Sequence, residues 1–271
     1  MITVIPKSGL CNRMRAIDSA LSLSQATNRE LSIVWIRNKI LNCKFCDLFK
    51  PIDGITIVES KSRPFLYSNR KIQNFGLPSL ARKIMNLTLI DKHQLLELKK
   101  DSKVLADYVA KTKHAIIANN KRFYPNKFEY QQFVPTDALQ LRIEKETDKF
   151  NPSTVGVHIR RTDHEQAKEK SPLHLFEKAL EDAIGENPLA NFYLASDCPE
   201  TKEHLLGKFG EKVITNNAKA VRDSKEGMQQ ALVELYALSK TQKVFGSYGS
   251  SFSNTACQIE GIPEVTIVKE G

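Results

Sequence analysis

Nine residues, Val155-Gly156-Val157-His158-Ile159-Arg160-Arg161-Thr162-Asp163, constrain this chain more than any other segment. Valine, isoleucine and glycine build a short buried strand, and two guanidinium groups and a carboxylate gather at its end. A strand of this composition belongs to a parallel sheet covered on both faces. Arginine presents a rigid fork of donors that matches phosphate oxygens bidentately. In an open α/β sheet the crevice outside the carboxyl ends of the strands is where ligands bind. Taken alone, the segment reads equally well as a polar strand end with surface ion pairs.

The surrounding pattern supplies the sheet. Ile2 to Pro6 reads as a strand, Lys7 to Asn12 as a loop and Arg13 to Thr27 as a helix with Asn12 at its N-cap; Leu31 to Ile36 reads as the next strand. In the middle, Ile55 to Val58 and His114 to Ala118 read as strands, and Ser79 to Leu89 and Asp91 to Leu98 as helices. Thr136 to Phe150 is strongly periodic, and Asn151-Pro152-Ser153 breaks it. The second half alternates again. Strands are expected at Thr154–Ile159, Asn191–Ala195, Val213–Thr215 and Lys243–Gly246. Helices are expected at Pro172–Ile184, Pro199–Phe209, Gly227–Ser239 and Ser253–Glu260. This alternation predicts an α/β chain of two doubly wound, Rossmann-type domains, residues 1–150 and 151–271.

Bulk properties exclude several classes. With 271 residues and 41% hydrophobic content, the chain can bury two cores. No apolar run reaches the roughly 18–20 residues of a membrane span. The first residues lack the pattern of a signal peptide, so a cytoplasmic location is expected. Five scattered cysteines argue against a disulfide framework. Cys43 and Cys46 have C-x-x-C spacing, but no second pair completes a zinc site, and no metal is expected. The net charge of +9 favours an acidic partner, whether nucleic acid, anionic lipid or a nucleotide diphosphate. No basic run interleaves with aromatics, which weighs against nucleic acid.

Further segments carry chemistry. Ser247-Tyr248-Gly249-Ser250-Ser251-Phe252-Ser253 lies between a strand and a helix, where small residues, hydroxyls and free helix amides make an anion site or an ordinary capping turn. Paired with Arg160 on a neighbouring strand end, it reads as a diphosphate site. Gly9-Leu10-Cys11-Asn12-Arg13 repeats the strand-loop-helix arrangement, and neither a G-x-G-x-x-G nor a Walker lysine pattern occurs. If the two halves face each other across a cleft, Asn12 approaches the same ligand from the other side. Glu234 shares an apolar helix face with Ala231 and Leu238, so it needs donors: the N1 and N2 protons of guanine, or a nearby lysine. His158 is a core histidine or points at the cleft. Asp197, after Ala195-Ser196, binds a sugar, orients an arginine or caps the next helix.

Together these segments resemble the superfamily of GDP-fucose-dependent fucosyltransferases that contains the nodulation-type and core α1,6-, protein O- and α1,2-fucosyltransferases. His158-Ile159-Arg160-Arg161-Thr162-Asp163 looks like the H-x-R-R-x-D motif, and Gly9 to Arg13 is similar to the G-x-x-N-[QR] loop. Glu234 to Leu238 followed by Gly249 to Ser253 looks like the acidic helix and S-S-F-[ST] segment. The resemblance covers the first 30 residues and most of 154–262. It implies a GT-B-like fold, an acceptor-side first domain, a donor-binding second domain, inversion at the anomeric carbon and no metal or other cofactor. It implies that Arg160 holds the β-phosphate with Ser250, Ser251, Ser253 and the amides near Phe252, and that His158 and Glu234 face the guanine. Arg160 and Arg161 then serve catalysis, and Asp163, Glu165 or Glu169 is the base. Two positions depart from the pattern: Glu234 replaces the usual aspartate, and His164 the lysine of the α1,6 subset. The lysine-rich surface, by its charge alone, suggests a peripheral contact to the inner membrane and a glycan or lipid-linked glycan acceptor in surface polysaccharide assembly. The alternatives are a transferase for another GDP-sugar such as GDP-mannose, and an inactive nucleotide-sugar or glycan-binding module.

Overall fold

A computed structural model describes residues 1–62, 77–125, 129–162, 165–216 and 222–269. The chain forms two compact units, Met1–Val134 and Pro135–Gly271.

In the first unit the chain runs β1 (Ile2–Pro6), α1 (Leu10–Thr27), β2 (Leu31–Ile36), β3 (Ile55–Ser60), α2 (Leu77–Ile84), β4 (Leu87–Ile90), α3 (Lys92–Leu98), α4 (Ser102–Lys111) and β5 (His114–Asn119). Its strands make one parallel sheet in the order β3-β2-β1-β5-β4. All five residues of β1 are buried, as a strand covered on both faces requires. Three details differ from the sequence reading. Helix α1 starts at Leu10 with Gly9 as N-cap, because the Arg13 amide already bonds to the Gly9 carbonyl, so Asn12 sits inside the first turn rather than capping it. The stretch read as one helix over 79–89 ends at Ile84. Asn86 then takes a left-handed conformation (φ 53°), and Leu87-Thr88-Leu89-Ile90 pairs with β5 as an edge strand. Helix α4, with Asp101 capping Lys103, was not anticipated.

The second unit runs α5 (Asp137–Thr147), β6 (Thr154–Ile159), α6 (Glu165–Lys170), α7 (Leu173–Glu186), β7 (Asn191–Ser196), α8 (Pro199–Phe209), β8 (Val213–Ile214), α9 (Lys225–Ser239), β9 (Val244–Ser247), α10 (Ser251–Glu260) and β10 (Glu264–Ile267). The boundary therefore falls near residue 134, not 150. Helix α5 packs on α9, and Arg142 on α5 donates to the Gln230 side chain on α9 at 2.6 Å. The Asn151-Pro152 break is a helix-to-strand turn inside this unit.

The second sheet is also parallel, ordered β10-β9-β6-β7-β8. On one face, Val155, Val157 and Ile159 of β6 pack with Phe176, Leu180 and Ala183 of α7 and Leu205 of α8. On the other, Gly156 lies so close to α9 and its exit that an added Cβ would stand 2.9 Å from Leu238 and 2.8 Å from Thr241. The chain winds outward from β6 through β7 to β8, then returns to β9 on the other side of β6. Such a reversal opens a crevice between the carboxyl ends of the two central strands, here β6 and β9. Arg160 and the turn after Ser247 stand at those two ends.

Candidate functional site

The carboxyl edge of the second sheet is stitched together by serines. The Arg160 amide donates to the Ser247 hydroxyl (3.0 Å), which in turn donates to the His158 carbonyl (3.2 Å). The Ser196 hydroxyl donates to the Ile159 carbonyl at 2.8 Å and accepts from the Cys198 amide. Three strand ends are thereby fixed against one another, and the half-buried Arg160 side chain starts from a rigid base.

Asp197, just past β7, holds the segment that follows Arg160. Its carboxylate accepts from the Arg161 amide (2.7 Å), the Thr162 amide (3.2 Å) and the Thr162 hydroxyl (2.6 Å). Helix α8 is capped at Cys198 rather than by Asp197, whose carboxylate clamps the loop instead, a role the sequence reading did not include. The Arg161 guanidinium turns inward and donates to the Ser171 carbonyl at 2.8 Å. The two arginines of the pair thus do different work: Arg161 braces the loop that presents Arg160.

The turn between β9 and α10 supplies the other wall. Gly249 adopts φ 65°, which a side chain would strain, and Ser250 caps α10 by accepting from the Phe252 amide at 3.2 Å. The Ser250 hydroxyl also meets Nδ1 of His158 at 3.2 Å, and the imidazole stacks on Phe252 at 4.8 Å. Burial pushes the His158 pKa down to about 4, with Asp197 opposing and the Arg160 charge reinforcing, so the ring is neutral at pH 7. Ser251 and Phe252 are half-exposed at the amino end of α10, where helix amides and their partial positive charge favour an anion. Ser253 is fully buried. Its side chain packs beneath Gly246, where an added Cβ would come within 2.6 Å of its hydroxyl oxygen, so it shapes the turn rather than facing a ligand.

Glu234 finds its donors inside the protein. It is buried on α9 and pairs with Lys202 of α8 at 3.3 Å, and Lys202 also donates to the Asn216 carbonyl at 3.1 Å. Burial still raises its pKa, opposed by Lys202 and Gln230. With 4% of its side chain exposed and a lysine against it, Glu234 is replaced as a guanine-facing group by a structural ion pair. Of the base candidates, Asp163 lies outside the described residues. Glu165 opens α6, 87% exposed and paired with Lys168 at 3.1 Å, and Glu169 is exposed on the same short helix. Cys43 is buried and Cys46 exposed. Among the described residues no group of three metal-ligating side chains occurs.

Asn12 belongs to the first unit and is half-exposed in the first turn of α1. That unit has its own winding reversal, between β1 and β5. Ser8 there takes φ 69°, and Asn120 donates to its hydroxyl at 3.1 Å. Arg13, the last residue of the glycine-rich loop motif, lies beneath the edge. It donates to the Ser8 carbonyl (2.9 Å) and the Ile36 carbonyl (2.7 Å), stacks on Trp35 at 4.7 Å and is 1% exposed. Burial lowers even its pKa, to about 10, with Glu59 opposing.

Sequence reasoning passed over Ser171 and Thr162. Thr162 was visible inside the motif as a donor to a nearby carboxylate. Ser171 had no local signal beyond its place before Pro172.

No protein family and no curated protein matches this sequence. Solved structures do match its fold. NodZ α-1,6-fucosyltransferase soaked with GDP-fucose is 19% identical, with 95% of this chain and 92% of that one aligned at a TM-score of 0.63; the fucosyltransferase NodZ is from Bradyrhizobium. Arabidopsis thaliana FUT1 in complex with GDP is 16% identical over 97% of this chain and 69% of its own, at a TM-score of 0.61. POFUT1 in complex with GDP is 11% identical over 98% and 97%, at a TM-score of 0.58. The two parallel five-stranded sheets are those of the GT-B-like fucosyltransferase fold, as the motifs implied.

Proposed function

We propose that this chain is a glycosyltransferase that moves fucose from GDP-fucose to a hydroxyl of a glycan or glycoconjugate, inverting the anomeric carbon and needing no metal ion. The observation that carries this reading is the Arg160 amide bonded to the Ser247 hydroxyl, which sets the end of β6 beside the turn into α10 at the β6–β9 reversal, the place where such sheets take a nucleotide. The donor's diphosphate lies across that edge. As the bond to the sugar breaks, negative charge develops on the outer phosphate, and the Arg160 guanidinium and the amides at Ser251 and Phe252 neutralise it. These groups are held in place before the reaction, so little reorganisation is needed. The acceptor hydroxyl attacks the opposite face, its proton taken by a carboxylate of the Asp163–Glu169 stretch. The second unit is the donor domain and the first the acceptor side.

Comparing the thermal shift given by GDP, UDP, ADP and GDP-fucose, then assaying GDP-fucose turnover with and without a chelator, tests the reading. Stabilisation by GDP and chelator-resistant turnover are expected. UDP or ADP stabilising as well as GDP, or turnover lost with the chelator, removes the corresponding part.

One observation favours a second reading. With Glu234 held by Lys202, the carboxylate read as the partner of guanine is engaged within the protein, and turnover of another sugar nucleotide above that of GDP-fucose would replace the donor proposed. The setting proposed is the cytoplasm, at the inner face of a membrane where a lipid-linked glycan serves as acceptor in polysaccharide synthesis. No described helix is long and apolar enough to cross a membrane, and the charge of +9 suits an anionic surface. A vesicle-sedimentation assay that leaves the protein in the supernatant withdraws the membrane contact.

A further inference from the structure

We infer that Ser171 is a positioning residue that locks the two halves of the anion site to each other. The inference rests on the donor reading above. Ser171 lies between α6 and α7 and is fully buried. Three of its polar groups are engaged, each with a different part of the fold. Its carbonyl accepts from the Arg161 guanidinium at 2.8 Å, its hydroxyl accepts from the Tyr248 amide at 2.8 Å, and its own amide bonds to the Ala167 carbonyl at 2.9 Å.

These bonds reach both walls of the site. Arg161 adjoins Arg160, on the loop clamped by Asp197. Tyr248 opens the turn whose Gly249 and Ser250 set the direction of the α10 amides. Without the Ser171 hydroxyl, the Tyr248 amide would be left half-buried with no acceptor, and the turn would be free to rotate that amide toward water. Lys170 reinforces the same junction from α6, with its ammonium group 4.2 Å above the Tyr248 ring. The arginine and the helix end must hold one diphosphate together, so a residue that fixes their separation governs affinity without touching the ligand.

The effect should be concentrated on the outer phosphate, because the turn and Arg160 converge there. The experiment is calorimetric titration of wild type and Ser171→Ala with GDP and with GMP, alongside thermal unfolding. The variant is expected to fold and to lose GDP affinity roughly 5- to 50-fold, the range that follows from leaving one amide donor unsatisfied. GMP affinity is expected to change much less. Lys170→Met, which keeps the hydroxyl, is expected to lose GDP affinity by a smaller factor in the same selective manner. GDP affinity within twofold of wild type in a folded Ser171→Ala protein overturns the inference, as does an equal loss for GDP and GMP. Should Ser171→Ala fail to fold, an unselective or absent loss in Lys170→Met overturns it. A wild-type protein that binds no GDP sinks the donor reading itself, a result distinguishable from either.

Discussion

Each sheet reverses its winding beside the first strand of its unit, and each carries an arginine next to that reversal, yet the two are used in opposite ways. Arg13 is folded under the edge of the first sheet, 1% exposed, with its donors committed to the carbonyls of Ser8 and Ile36 and its face on Trp35. Arg160 follows the end of β6, half-buried, with its own amide bonded into a base of serine hydrogen bonds. The same topology therefore yields a buried brace in one unit and, in the other, the half-buried arginine proposed to bind the donor. What separates them is where the arginine falls in the sequence. Four residues after Gly9, in the first turn of a helix, Arg13 is directed back against β2; immediately after a strand, Arg160 is left at the rim.

The sharpest way to break this comparison is to delete both guanidinium groups. Arg160→Ala is expected to cost about 2–5 kcal/mol of transition-state stabilisation, roughly 30- to several-thousand-fold in kcat/KM, with the melting temperature nearly unchanged. Arg13→Ala should do the reverse. Two part-buried carbonyls lose a charged donor, at about 2–5 kcal/mol of stability, while the GDP binding proposed for the second unit is expected to be unaffected. Steady-state kinetics and thermal unfolding on the pair decide it. Near-normal turnover in Arg160→Ala, or an unchanged melting temperature in Arg13→Ala, would erase the distinction.

The imidazole of His158 sharpens the contrast on the donor side through pH. An unfolded histidine titrates near 6.5, and burial holds this one to about 4 in the folded chain. Between those values the unfolded chain binds a proton that the folded chain refuses, so stability rises with pH across the window. It is fully present above about pH 6.5 and is lost as pH falls toward 4, a change of about 3 kcal/mol. Urea unfolding at pH 7 and pH 4.5 should show this loss, and His158→Gln should flatten it. An equally steep profile in the variant would mean that other groups carry the acid sensitivity.

How much of this was legible beforehand depends on the range of the interaction. Strands β1, β2 and β6 were readable to the residue because they are runs of buried β-branched side chains ended by a turn or by charge. The short elements were not. In α6, six residues of mostly charged side chains give no periodicity, and β4 continues the apolar spacing of α2, with Asn86 alone marking the change. At the site, Arg160 and the Ser250 cap were local signals. The need of Glu234 for a donor was also legible, but the choice between a ligand and Lys202, 32 residues away on another helix, was settled only by packing. Ser171 was invisible because its partners come from two other segments.

The smallest effects expected belong to the Asp197–Thr162 clamp, and they ask whether it depends on charge or on acceptor geometry. Asp197→Asn keeps one carbonyl oxygen of nearly the same shape. It can still accept from the Arg161 amide at Oδ1 but replaces Oδ2, the acceptor for both Thr162 donors, with an amide that donates. The loop should loosen at Thr162 and stay held at Arg161. The expected loss in kcat/KM is about 1–2 kcal/mol, roughly 5- to 30-fold, well below that of Arg160→Ala. Thr162→Val removes only the hydroxyl, and should fall between wild type and Asp197→Asn. If Thr162→Val matches Asp197→Asn, the hydroxyl bond alone carries the clamp; if Asp197→Asn is as severe as Arg160→Ala, the carboxylate acts on the ligand directly and is no clamp.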